Sequence, residues 1–269
     1  MTNGYHIVVC GSVVPDPLQT LEPIETPNGP ALKNEMMLPA VLDPWAGHAL
    51  YEADNLASKV AGSKVWLVSV GPKAKLQQVM MTIAQRMSFE LIPVDASASG
   101  FADAHATAAI LAETIQAIPN LDRSRLLVFG GWESASRGAG VTMQLVGERL
   151  AILDQFQGVD QLSVQPDGSL EVLERIEGGR YQVSVCPGPP ALFGWATGNL
   201  PEPHNNPQVG MANMRTVMPA LQRAKSVPLP SNGLHYVSAT PPKQQRQTRV
   251  EKNLSADQVA NEIAEWIGK

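Results

Sequence analysis

The residues best placed to do chemistry lie where Leu126-Leu-Val-Phe-Gly-Gly131 runs into Trp132-Glu-Ser-Ala-Ser-Arg-Gly-Ala-Gly-Val-Thr142. An apolar strand that ends in glycines just before a helix start is how an α/β domain holds a phosphate. The strand's carboxyl end opens a crevice, small residues let backbone approach a ligand, and N–H groups at the helix start face an anion. Arg137 adds a fixed positive charge. Gly138 and Gly140 are spaced only as Gly-x-Gly, without the third glycine of a dinucleotide fingerprint, so this is not the usual NAD signature. The alternative reading is that these glycines only make a tight strand-to-helix turn.

Other chemistry-bearing side chains fall into no constellation. Cys10 and Cys186 each sit inside an apolar run, with no Cys-x-x-Cys pair, and read as small buried thiols. His48, His105, His204 and His235 show no ligand spacing with one another and read as surface or satisfied core histidines. Gly-x-Ser-x-Gly, P-loop and His-Glu-x-x-His motifs are missing. No catalytic residue and no metal site is therefore expected.

The elements that must position the glycine segment alternate regularly. His6 to Val14 is an apolar run, Pro44 to Val60 has helical spacing, and Lys64 to Val70 is a second strand closed by Gly71-Pro72. Lys73 to Met87 is helical, Phe89 to Val94 a third strand, Ala102 to Ile118 a helix ended by Pro119, and Arg125 to Phe129 a fourth strand. Continuous apolar strands alternating with helices mean a mostly parallel sheet covered on both faces, a Rossmann-like three-layer α/β sandwich. Ligands sit beyond the carboxyl ends of such strands, which puts the loops 13–16, 70–73 and 130–140 on one rim.

The insertion 16–39 suggests a long loop or hairpin. After Leu150 the pattern changes to short strands over 161–164, 169–176 and 181–185, joined by Pro166-Asp-Gly168 and Glu177-Gly-Gly179. The stretch 187–207 is crowded with Pro and Gly and reads as irregular, and Met211 to Ala224 regains helical character around Pro219. Residues 229–252 form a polar, Pro- and Gln-rich arm. It leads to Ser255-Ala-Asp-Gln258, a capping box that opens a helix with Val259, Ile263, Trp266 and Ile267 on one face.

The 269 residues suffice for a sizeable core, and 44% hydrophobic with 17% charged residues is ordinary for a soluble domain. A net charge of −5 and the lack of a basic stripe argue against nucleic-acid binding. No apolar run is long enough to span a bilayer, and the first residues lack the pattern of a signal or transit peptide. The expected location is a bacterial cytoplasm, without membrane insertion.

Read together, these segments resemble the β subunit of electron transfer flavoproteins over nearly the whole chain. Val13-Val-Pro-Asp16 is similar to that family's Val-Val-Asp-Pro turn, and Leu42-Asp-Pro-Trp45 to its Met-Asn-Pro-Phe helix start. Val68-Ser-Val-Gly-Pro72 matches its Val-Ser-x-Gly-Pro motif, and Glu174-Arg-Ile-Glu-Gly-Gly179 its Arg-Glu-x-Asp-Gly-Gly hairpin. Met218-Pro-Ala-Leu-Gln-Arg-Ala-Lys225 is similar to its Leu-Pro-Asn-Ile-Met-Lys-Ala-Lys segment.

The resemblance implies a heterodimer in which an α subunit carries the redox-active FAD and this chain supports it while holding a structural AMP. By position, the AMP pocket would be lined by Val9, Asp43, Pro44, Trp45, Ala46, Val70, Arg137, Gly138, Ala139, Gly140, Val141 and Thr142. The family's phosphate motif is Asp-x-x-Asn-Gln-Thr, of which Arg137-Gly-Ala-Gly-Val-Thr142 keeps only the threonine. A guanidinium and two glycines replace the carboxylate and amides, so an anion would be held by backbone N–H groups and Arg137. A second FAD in the same site, as in bifurcating family members, is the alternative to AMP.

Met218 falls where the family presents an apolar anchor to a flavin-dependent dehydrogenase, with Arg223 and Lys225 nearby. Electrons would pass on to a quinone oxidoreductase, and the chain would be a carrier rather than an enzyme. The implied organisation is a nucleotide-binding α/β domain over 1–228, with hairpin 161–186 and docking segment 208–225. A C-terminal arm and helix over 229–269 would pack on the partner subunit or on their own domain. A stand-alone, stress-protein-like nucleotide-binding module is the rival reading.

Overall fold

A computed structural model of the chain describes residues 4–27, 29–96, 101–135, 140–229, 233–240 and 250–268. In order, the elements are β1 (His6–Cys10), β2 (Val13–Pro15), β3 (Pro23–Thr26), β4 (Gly29–Leu32), β5 (Ala40–Leu42), α1 (Pro44–Lys59), β6 (Lys64–Gly71) and α2 (Lys73–Ile83). They continue with β7 (Glu90–Asp95), α3 (Ala104–Gln116), β8 (Leu126–Gly131), α4 (Thr142–Arg149), β9 (Asp154–Val164), β10 (Leu170–Ile176) and β11 (Arg180–Cys186). β12 (Ala191–Trp195), α5 (Pro207–Gln222), β13 (Lys225–Ser226) and α6 (Ala256–Ile267) complete the chain. The chain divides into two compact units, 1–239 and 240–269.

β1 shows why the sheet lies in the middle. All five of its residues are buried, as a parallel strand covered on both faces requires. Ile7 and Val9 join the core under α1, α2 and α5, whereas Val8 and Cys10 join the one under α3 and α4. The nine strands run in the order β11-β10-β9-β12-β8-β1-β6-β7-β13. All pairs from β9 to β13 are parallel, and β10 and β11 add an antiparallel edge. The three-layer sandwich expected from the strand–helix alternation is therefore present, with hairpin β10–β11 where the turn residues placed it.

The helices are set by local signals. Asp43 caps α1 ahead of a proline at its first position, and Ala46, Ala49, Leu50, Ala53 and Leu56 then recur on the buried side. Asp103 caps α3 through the Ala106 N–H. Asn213 of α5 donates to the Ala84 and Met87 carbonyls at 2.7 and 2.6 Å, satisfying groups just past the end of α2. In the second unit, Ser255 and Gln258 form the expected capping box of α6.

Four sequence expectations need correction, the first being that the short strand read over 161–164 is the eleven-residue β9, which begins at Asp154 and pairs in parallel with β12. The run 6–14 is not one strand: after Gly11, Val13 leaves β1 to pair antiparallel with Leu42 of β5. The helix begun at Lys73 ends at Ile83 rather than Met87. The stretch 187–207 is not irregular throughout, because Ala191–Trp195 forms β12 at the centre of the sheet, with every residue fully buried. Its five residues are flanked by Pro and Gly and interrupted by Gly194, so the surrounding turn residues mask a short apolar run that is long enough to be a strand. The insertion after Asp16 does contain a hairpin, β3–β4.

Candidate crevice at the carboxyl ends of β1 and β8

The chain winds away from β1 through β6 and β7, then returns to build β8 on the other side of β1. The carboxyl ends of β1 and β8 are thus a topological switch point, the position at which open α/β sheets leave a crevice. Gly130 and Gly131 allow close approach there. A Cβ on Gly130 would overlap the Met143 thioether of α4, and one on Gly131 would lie 2.6 Å from Trp45 Cβ and 2.8 Å from the Glu133 carbonyl. These approaches hold the end of β8 closely against α4 and the start of α1.

Asp43 spans the crevice. Its carboxylate accepts from the Trp45 N–H at 3.1 Å, the Ala135 N–H at 2.9 Å and the Ser134 hydroxyl at 3.1 Å. It thereby ties the start of α1 to the loop after β8. Burial pushes its pKa up, against the opposing pull of hydrogen bonds from Ala135, Ser134 and the α1 start. Having spent its oxygens on protein donors, Asp43 braces the rim rather than offering itself to a ligand.

This geometry makes a prediction. Asp43→Asn must point an amide donor at Trp45 or at the Ala135–Ser134 pair, and is expected to cost about 1–3 kcal/mol. A carboxyl whose native pKa is raised binds more protons folded than unfolded. Its stabilising contribution is complete below the ordinary value of 3.8 and is lost as pH rises through the raised one. The stability gap between wild type and Asp43→Asn, read from denaturation midpoints, should therefore narrow as pH rises; a gap that widens contradicts this account.

Beside this brace lies a cavity of about 320 Å3, lined by Asp103, Ala104, Ser134, Gly140, Val141, Thr142, Leu234, His235 and Tyr236. Two helix starts, those of α3 and α4, meet at it. Gly140 adopts a left-handed φ of +62° and lies against the Trp132 carbonyl, turning the chain into α4. Val141 at the α4 N-cap has an apolar side chain and gives the leading N–H groups of that helix no side-chain cap. The Gln144 Oε1 atom in the same turn is buried without a hydrogen-bond partner. An uncapped helix start beside a hydroxyl and small residues suits a phosphate ester, and the apolar Leu234 and Tyr236 suit a base or ribose.

The sequence-derived residues are distributed unevenly around this cavity. Gly140, Val141 and Thr142 line it, and Asp43 reaches it through Ser134. Trp45 is half-buried, Pro44 exposed and Ala46 buried at the start of α1. Val9 and Val70 point into the two cores and do not line it. Arg137, Gly138 and Ala139 lie outside the described residues. Asp103, Ala104, Ser134 and the arm residues Leu234, His235 and Tyr236 were not anticipated. The strand-end rule applied to β7 would have found Asp103 and Ala104, whereas the arm carries no sequence signal.

Met218 is half-buried against the α1-side core beside the buried Val217 and Leu221. Met211 and Met214, on earlier turns of α5, are more open at 67% and 42% exposure. Arg223 is exposed, and its Nε donates to the Pro219 carbonyl. Lys225 is exposed in β13, paired with Val94 of β7.

Both cysteines are free and buried, and desolvation pushes the Cys10 thiol up to about 12, leaving it unreactive. The Nδ1 atom of His6 accepts from the Asp122 N–H at 2.9 Å. No cluster of His, Cys, Asp or Glu able to hold a metal occurs among the described residues. Nor is any described helix long and apolar enough to cross a membrane.

Comparison with known proteins adds one finding. A family model described as an electron transfer flavoprotein domain matches residues 34–229, from just before β5 to just past β13, and so spans most of the crevice and the whole of α5. No curated protein matches the chain.

Proposed function

The chain belongs to the electron transfer flavoprotein family, and from that premise we propose that it is the β-type subunit of a heterodimeric electron carrier. In this reading an α subunit holds the redox-active FAD, and the present chain buttresses it without catalysing a reaction of its own. The flavin, when bound, stores electrons singly or in pairs. Electrons arrive from a flavin-dependent dehydrogenase and leave towards a quinone oxidoreductase, in a bacterial cytoplasm.

The observation that carries the nucleotide part is the cavity at the switch point, where the start of α4, with Thr142 as its first residue and no side-chain cap, shares the lining with Ser134 and the apolar arm residues. A structural AMP fits that donor set. The leading N–H groups of α4 and the Thr142 hydroxyl would take the phosphate, and Arg137 is proposed to add its charge. A second FAD, as in bifurcating carriers, has more than twice the atoms of AMP, and a volume of about 320 Å3 favours the smaller ligand. Met218, Arg223 and Lys225 are retained as proposed docking residues, with the more open Met211 and Met214 widening the adaptable apolar surface of α5.

Nucleotide analysis of the purified chain tests the site. The chain produced alone, denatured and analysed for released nucleotide, should yield close to one AMP per molecule. Recovery of protein with no nucleotide, and no AMP uptake on addition, would remove the reading.

A further inference from the structure

The arm segment 233–239 belongs to the first unit and forms one wall of the crevice cavity. It is stitched down along its length. Gly233 passes so close to the Asp103 carboxylate that a Cβ would overlap it. Tyr236 sets its ring edge-on to Phe101, with centroids 5.3 Å apart and planes at 77°. The Tyr236 carbonyl runs beside Gly29 at the tip of hairpin β3–β4, and the Ala239 N–H donates to Glu25 Oε1 of that hairpin at 3.0 Å.

This attachment is not explained by burial of the arm's own side chains. Leu234 and Val237 remain 71% and 90% exposed. Ordering backbone costs conformational entropy at every residue, so an arm that buries so little of itself gains most if something else completes its contacts. Leu234, His235 and Tyr236 face the cavity, and a ligand there would cover them. The volume they leave, about 320 Å3, is at the bottom of the range of roughly 300–1,000 Å3 typical of small-molecule sites.

We propose that residues 233–239 are a strap that sizes the crevice for a mononucleotide, with Leu234 and Tyr236 packing on its base or ribose, and that they exclude a dinucleotide. This rests on the nucleotide reading of the crevice. The strap makes ligand size a property of the arm and the β3–β4 hairpin rather than of the phosphate loop alone.

The test is equilibrium dialysis of AMP and of FAD against the nucleotide-free full-length chain, with Tyr236→Ala and Glu25→Ala beside wild type. Wild type should prefer AMP over FAD by at least about tenfold, and Tyr236→Ala should weaken AMP by about tenfold through lost aromatic packing. Glu25→Ala, which only releases the arm from the hairpin, should weaken AMP in the same direction. Both variants should keep the wild-type melting temperature. Equal AMP affinity in all three proteins overturns the strap and leaves the crevice reading standing, as does a wild type that binds FAD as tightly as AMP. A wild type that binds neither nucleotide overturns both.

Discussion

Phe193→Ala is expected to destabilise the protein by about 3–5 kcal/mol, the usual cost of deleting a fully buried aromatic ring. Phe193 has no exposed surface, stacks on Phe156 with centroids 5.4 Å apart and planes at 13°, and meets Phe129 edge-on at 5.5 Å. It thus joins three strands, β9, β12 and β8, on the face packed by α1. The last residue of β12 also holds the crevice: the Trp195 carbonyl accepts from the Trp132 N–H at 3.0 Å, where the loop after β8 begins. Chemical denaturation reads the loss, and Phe193→Leu, which keeps most of the volume, should cost less. A loss below about 1 kcal/mol would mean that residues 191–195 are peripheral after all.

Arg175→Ala is expected to cost about 3 kcal/mol, because it strands a buried carboxylate. Asp160 is 1% exposed and receives both Nε and an Nη of Arg175 at 3.0 Å, with the Gly198 N–H a longer third donor at 3.3 Å. The same guanidinium donates to Thr197 at 2.8 Å, so it fastens β10 to the chain leaving β12. Arg175 is itself part-exposed, which holds the expected cost to the low end for broken buried pairs. Asp160→Asn combined with Arg175→Ala should recover part of the loss, since no charge then remains buried. Denaturation midpoints for the single and double variants form the cycle; a double variant as unstable as the sum of the two singles would refute the pairing.

The parts of this architecture that could be read from sequence are those where one physical signal acts alone. β1, β6 and β8 are continuous apolar runs because both sheet faces are covered, and α1 and α6 announce themselves by Asp43-Pro44 and by Ser255 with Gln258. β12 was obscured because burial between β8 and β9, not propensity, makes Ala191–Trp195 a strand. Gly194, set among those residues, also leaves room for the Gln157 side chain on the neighbouring strand.

The crevice was legible as a place but not as a full set of residues. Strand ends located the rim, and Gly140 to Thr142 and the Asp43 brace fall on it. Asp103, Ser134 and Tyr236 come together only through tertiary packing, the last from a polar arm more than ninety residues beyond Thr142. Val9 and Val70, placed by resemblance, spend their side chains on the two cores instead.

The most direct test of the proposed role is to co-purify the chain with the flavoprotein α subunit of its own genome, denature the complex, and quantify FAD and AMP per heterodimer. One FAD with one AMP is the result expected of a β-type subunit of a simple carrier. Two FAD without AMP would assign the crevice to a second flavin, and failure to form any flavin-bearing heterodimer would contradict the account.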